Sequence, residues 1–280
     1  MMDDDAKFVS VDKLPDDPLK MPPPYWRTGG AWFQIEDALA RLLEMLHQLL
    51  PLHTRINNLL DQHYAKYPRE EDNESDRAMQ EFSDICDPLW ELEHKIKMKC
   101  ELVILMSAIE TEETVNQFCV FNLPKELVET LEKLSPAEKL TAALSHLNKK
   151  KVRSTAMYNA VTELSAWRNK FAHGHCVDRP VKTLRHNHLI SPNEYPGVPD
   201  SVANAVKYVS GYIKVVEHLA RESKNPYTST TSDTVTFKNM LRDVSRFKFR
   251  GGPSVYDVQL LPGKADDRAT NSPRKIKRKN

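Results

Sequence analysis

The segment ELSAWRNKFAHGHC places a strong cation, an amide and an imidazole close together where an apolar-periodic stretch runs out: Arg168, Asn169 and His173, with His175 two places further on. Imidazole, with an unperturbed pKa of roughly 6.5, takes or gives a proton at cellular pH. A guanidinium is always charged, and its planar fork fits phosphate oxygens. These residue types suit phosphate chemistry that needs a base and a fixed cation. RNA cleaves itself when its 2′-hydroxyl attacks the neighbouring phosphate, leaving a 2′,3′-cyclic phosphate and a 5′-hydroxyl. His173 would move the proton, Arg168 would steady the added charge, and Asn169 would orient the histidine or the substrate. Preorganised charge of this kind is worth about 3–4 kcal/mol at the transition state. The chemistry calls for no metal and no cofactor.

Geometry restricts how the two main residues cooperate. Five positions apart on a regular helix, Arg168 and His173 point about 140° apart. Either the helix loosens near Gly174, or a second copy of the chain completes the site. An ordinary structural reading stands beside this one. Arg168 would pair with Glu163 or another acid, and His173 would cap the last carbonyls of its helix beside Gly174. Glu110 is a lesser candidate, in register with Val103 and Met106. It would orient Arg168 from the bundle interior or, more ordinarily, reach solvent as a helix-end acid. His175 is a second supporting candidate, whose plainer reading is an exposed loop residue.

The elements that must position these residues are helical. Apolar residues recur at helical spacing over residues 31–67, from Leu39 to Leu60, with Pro51 expected to kink or divide the stretch. A second long helix is predicted over 77–121, with Pro88 near its start. Its 102–109 part is apolar on nearly all sides, as in a helix at the centre of a bundle. Shorter helices follow over 125–134 and from Ser135, where SPAE reads as a capping box with proline at the first helical position. The motif helix spans 152–173 and Gly174 is placed to end it. Asp200 is expected to cap a helix running to 221. Beyond it come a polar linker, a short amphipathic helix in FKNMLRDVSRF, and a strand in SVYDVQLL that would pair with RFKFR across Gly251 and Gly252. Phe237, Phe247 and Phe249 alternate with basic residues there, a pattern that either contacts single-stranded nucleic acid or, more commonly, docks a terminal element.

The domain reading is therefore an acidic, proline-rich arm (1–30), an α-helical bundle (31–222), and a C-terminal appendage with a basic tail (223–280). The 280 residues carry a formal charge of only +1, with ends of opposite sign. Six aspartates lie in the first twenty residues, and five basic residues, Arg274, Lys275, Lys277, Arg278 and Lys279, lie in the last seven. The tail is a candidate for non-specific attraction to nucleic acid. The longest apolar run, residues 102–106, is far short of the roughly 20 needed to span a membrane, and the N-terminus lacks a secretory pattern. Cys86, Cys100, Cys119 and Cys176 form no CxxC pair. Cys176 follows His173 and His175 without a second ligand cluster, so no zinc site is expected. Reduced thiols in a soluble, cytoplasmic protein are expected.

RNKFAHGH resembles the motif of HEPN domains, in which an arginine, four to six intervening residues and a histidine lie on one helix of an α-helical bundle. Here Arg168 and His173 enclose four residues, the first of them Asn169, as is common in that family. The order of elements is similar too: a long apolar helix ending in acidic residues, the LSPAEKL helix start, then the motif helix. The resemblance covers about residues 80–222. It implies a homodimer with both motifs in one positively charged cleft, and a metal-independent endoribonuclease of the kind found in toxin–antitoxin, antiviral-defence or RNA-processing systems. The partners it implies are RNA, a second copy, and a cognate inhibitor or defence-complex protein. Other members are non-catalytic modules that bind nucleotides, nucleic acid or proteins within larger complexes, which is the alternative expectation. Some members carry a tyrosine two places after the histidine; His175 stands there in this chain.

Overall fold

The computed structural model describes residues 31–68, 75–148, 152–172, 197–223, 231–251 and 256–262. They form seven α-helices and one antiparallel hairpin: α1 (Ala31–Lys66), α2 (Asp76–Asn122), α3 (Lys125–Leu131), α4 (Pro136–His146), α5 (Ala156–Ala172), α6 (Val198–Glu222), α7 (Thr231–Val244), β1 (Phe247–Gly251) and β2 (Tyr256–Leu260). The architecture is all-α, as expected. At 47 residues, α2 is a rod about 70 Å long around which the rest is arranged.

Two apolar cores share that rod. In the first, Leu39, Leu42, Leu46 and Leu49 of α1 pack with Ile96, Cys100, Val103 and Ile104 of α2, with residues of α6 from Val198 to Val216, and with Leu164 and Trp167 of α5. In the second, Val115, Phe118 and Cys119 of α2 meet Leu140 and Leu144 of α4, Met157 and Val161 of α5, and Val215 and Leu219 of α6. Rising residue numbers on α5 thus run from the second core to the first, against the direction of α2. Buried Ser107, Thr111 and Thr114 lie between the cores on α2, and each hydroxyl donates to the carbonyl four residues back. That bond satisfies the hydroxyl inside the helix without a tertiary partner. α5 and α6 approach closely at Gly211, where an added Cβ would stand 3.3 Å from that of Ala160.

Several expectations hold and others need correction. The capping box is present: Ser135 N–H donates to Glu138 Oε2 at 2.9 Å, and Glu138 N–H donates to Ser135 Oγ at 3.4 Å. Pro51 does not divide α1. Its ring is exposed, so the His47 carbonyl left without an amide donor lies on the solvated side, where water can serve it. The α6 N-cap is Gly197, with Asp200 inside the first turn. The motif helix opens with a separate 3-10 turn, Val152–Ser154. The C-terminal elements are a docked part of the first core, because Phe237, Leu241, Val244, Phe247, Tyr256 and Val258 belong to it. The hairpin pairs Phe247 with Leu260 and Gly251 with Tyr256, and Tyr256 Oη donates to Glu93 Oε1 of α2 at 2.5 Å.

The 102–109 part of α2 is not enclosed on all sides. Val103, Ile104 and Ala108 are buried, but Leu102 and Leu105 are half-buried and Ile109 is exposed. No helix among the described residues is long and apolar enough to cross a membrane.

Candidate functional site

Of the residues singled out in the sequence, Arg168, Asn169 and Glu110 fall in described helices. His173, His175 and the tail residues Arg274, Lys275, Lys277, Arg278 and Lys279 lie outside the described residues, as does the 1–30 arm.

Packing of its neighbour fixes where Arg168 emerges. Trp167 is buried, its ring edge-on to Tyr208 of α6 at 5.6 Å. That turns Arg168, about 100° further round α5, toward the flank shared with α2. There Nη2 pairs with Glu112 Oε2 at 3.1 Å, with the two side chains 37% and 27% exposed. Glu163, the acid expected from sequence, is 2.7 Å from Lys207 instead. A half-exposed pair contributes at most about 1 kcal/mol to stability, so its main effect is orientation. It holds one amino group of the guanidinium, while the buried Nε has no hydrogen-bond partner among the described residues. Asn169 is exposed one position on.

Glu110 corrects the sequence reading. It is not a solvent-facing acid; it is 2% exposed, and its Oε1 accepts the Trp32 backbone N–H at 3.0 Å. The first turn of α1 contains no acidic residue of its own. Glu110 supplies that charge from across the bundle, where unpaired amides and the helix dipole favour an anion. The start of α1 and the end of the motif helix are thereby both tied to α2 through carboxylates within one turn.

Burial pushes the Cys100 thiol up to about 12 and the Cys119 thiol up to about 11, so neither is a ready nucleophile. No group of three or more His, Cys, Asp or Glu among the described residues is arranged to hold a metal. A groove of about 480 Å³ lined by Phe121, Asn122, Leu147 and their neighbours includes none of the motif residues.

Comparison with protein-family models, with curated proteins and with solved structures found no match to this chain.

Proposed function

We propose that the chain is a HEPN-like, metal-independent endoribonuclease that cleaves RNA by attack of the 2′-hydroxyl on the adjacent phosphate. In this reading His173 moves the proton, Arg168 binds the phosphate and Asn169 supports it. A homodimer supplies both motifs to one cleft. A cytoplasmic role as a toxin or antiviral effector, controlled by a cognate inhibitor or a defence-complex partner, is the setting such an activity fits. The observation that carries the reading is the state of Arg168. It stands half-exposed one turn before the end of α5, held through a single amino group by Glu112, five positions ahead of His173. A guanidinium tethered at one corner is oriented without being enclosed, which is what phosphate binding requires.

The same ion pair favours one alternative, a non-catalytic module that binds a nucleotide or a partner protein. There Glu112 neutralises the cation permanently and the motif only ends a helix. The deciding experiment incubates purified protein with mixed RNA, with and without chelator, beside Arg168→Ala and His173→Ala. The nuclease reading expects cleavage that survives chelation and falls by at least about 100-fold in each variant, with helical content unchanged by circular dichroism. Full cleavage by both variants removes the mechanism.

A further inference from the structure

Three large apolar side chains are exposed at the tip where α1 meets α2, and they share one flank. Tyr64 and Met79 are each 52% exposed and Trp90 is 49% exposed. Lys66 Nζ pairs with Glu81 Oε2 at 2.6 Å on one side of the tip. Tyr64 and Met79 each stand two residues from a member of that pair, about 160° round their own helices, so both face the opposite side. Trp90, three turns beyond Met79, lies on the same line of α2. It also ends a continuous row of rings, in which Tyr67, His63, Phe82 and Trp90 have neighbouring centroids 5.0, 6.0 and 6.3 Å apart.

The charge beside this face has one sign. Over residues 76–93 α2 carries six acids and one base. The base, Arg77, is committed to Glu81, and Glu91 is paired with Lys95. Asp76, Asp84 and Asp87 are exposed, about 60–140° round the helix from Met79. None of the three has an ion-pair partner among the described residues; Asp84 and Asp87 accept from neutral Gln80 and Ser83. The combination discriminates between occupants. A second copy would set aspartates on aspartates, and RNA or an anionic membrane would bring phosphates to them. A cation is favoured twice, by the carboxylates and by aromatic faces over which it can stack. Lys66 already does so within the tip, its Nζ 4.9 Å from the centre of the Tyr67 ring.

We infer that this flank of the tip docks a basic, amphipathic helix of another protein. Its apolar residues rest on Tyr64, Met79 and Trp90, and its lysines and arginines meet Asp84 and Asp87. Met79 and Trp90 are about 17 Å apart along α2, which roughly three turns of a partner helix span with anchors at steps of three and four residues. Trp90, the largest of the three and flanked by acids, is the principal anchor. Glu112, which holds Arg168, lies about 33 Å further along the same helix, so a docked partner leaves the Arg168 flank open. The docking face does not depend on the nuclease reading.

Fluorescence anisotropy on the full chain tests it, with a labelled synthetic helix that carries leucine and tryptophan on one face and lysine and arginine on the other. A second peptide has glutamate in place of every basic residue. The cationic peptide should bind at micromolar concentration and the acidic one should not. Trp90→Ala and Met79→Lys should each weaken binding by roughly tenfold. Asp84→Asn combined with Asp87→Asn should cost a similar factor, with a difference from native that shrinks as salt is raised. Helical content should stay unchanged by circular dichroism in all of them. Ile109→Glu, on the apolar stripe of Met98, Leu102, Leu105 and Ile109 further along α2, should leave binding as it is. Equal binding of the two peptides, or binding indifferent to the tip variants, would overturn the proposal. So would binding that appears only after residues 274–279 are deleted, since the chain's own basic tail would then be the occupant.

Discussion

Glu110 and Glu112 are separated by one residue on α2 and are used in opposite ways. Glu110 points into the bundle and caps the first turn of α1, so its charge is spent on a backbone amide inside the core. Glu112 points out and holds one amino group of Arg168 on a solvated flank. The helix is the same and the side chains are the same; a rotation of about 200° separates anchoring from orienting. The difference teaches how a bundle keeps a polar group available for chemistry. A carboxylate buried on a backbone amide cannot be exchanged without loss of structure, whereas one shared with an exposed guanidinium can be.

The comparison is broken most easily at Glu110. Glu110→Ala removes a charge-assisted bond and leaves a helix start buried without its cap, at a cost of about 2–3 kcal/mol. Thermal unfolding should show a clear drop in midpoint, and a midpoint equal to that of the native chain would mean Glu110 anchors nothing. Glu112→Gln should do the reverse. Stability stays within about 0.5 kcal/mol of native, while RNA cleavage, if the nuclease reading holds, loses roughly tenfold in kcat with KM little changed, because Arg168 loses its orientation. Glu112→Asp, which keeps the charge, should recover part of that loss; equal loss of stability in Glu110→Ala and Glu112→Gln would erase the distinction. The smallest effect is expected at Glu81, far from both. Its carboxylate is held down to about 2, from an ordinary 4.5, first by Lys66 and then by Arg77 and Tyr67. A depressed carboxylate stabilises the fold above its unfolded value and stops doing so as the pH falls through its folded one. Protection from hydrogen exchange at the tip where α1 meets α2, taken relative to the intrinsic exchange rate at each pH, should therefore fall between about pH 4.5 and pH 2, and Glu81→Gln should remove that dependence while leaving the global midpoint unchanged.

What was legible in the chain was local. The capping box at Ser135, the long helices and the hairpin across Gly251 all follow from residues within a few positions of one another, where backbone propensity and periodicity act directly. That Pro51 leaves α1 undivided depends on which way its ring faces, a tertiary fact. Glu110 was misread for a related reason: nothing near it in sequence announces that the first turn of α1 lies beside it, 78 residues away. Glu112 was missed, yet one signal for it existed. It follows Met98, Leu102, Leu105 and Ile109 by the next step of three, so the stripe pointed at it. The 102–109 segment does belong to the central helix, but apolar residues on nearly all of its sides do not say which neighbours are present, and Ile109 is exposed.

The bond between Tyr256 and Glu93 spans 163 residues, and it sets a timetable for the newborn chain. α1 and α2 leave the ribosome well before Phe237, Phe247 and Tyr256, which finish their shared core. At about 5–20 residues per second, the wait between Glu93 and Tyr256 is on the order of ten to thirty seconds. Through that interval the core between α1 and α2 lacks the side chains of the C-terminal elements. The motif helix is already synthesised by then, yet it rests on a core not yet closed. The core behind Trp167 and Arg168 is thus complete only once Tyr256 has been made.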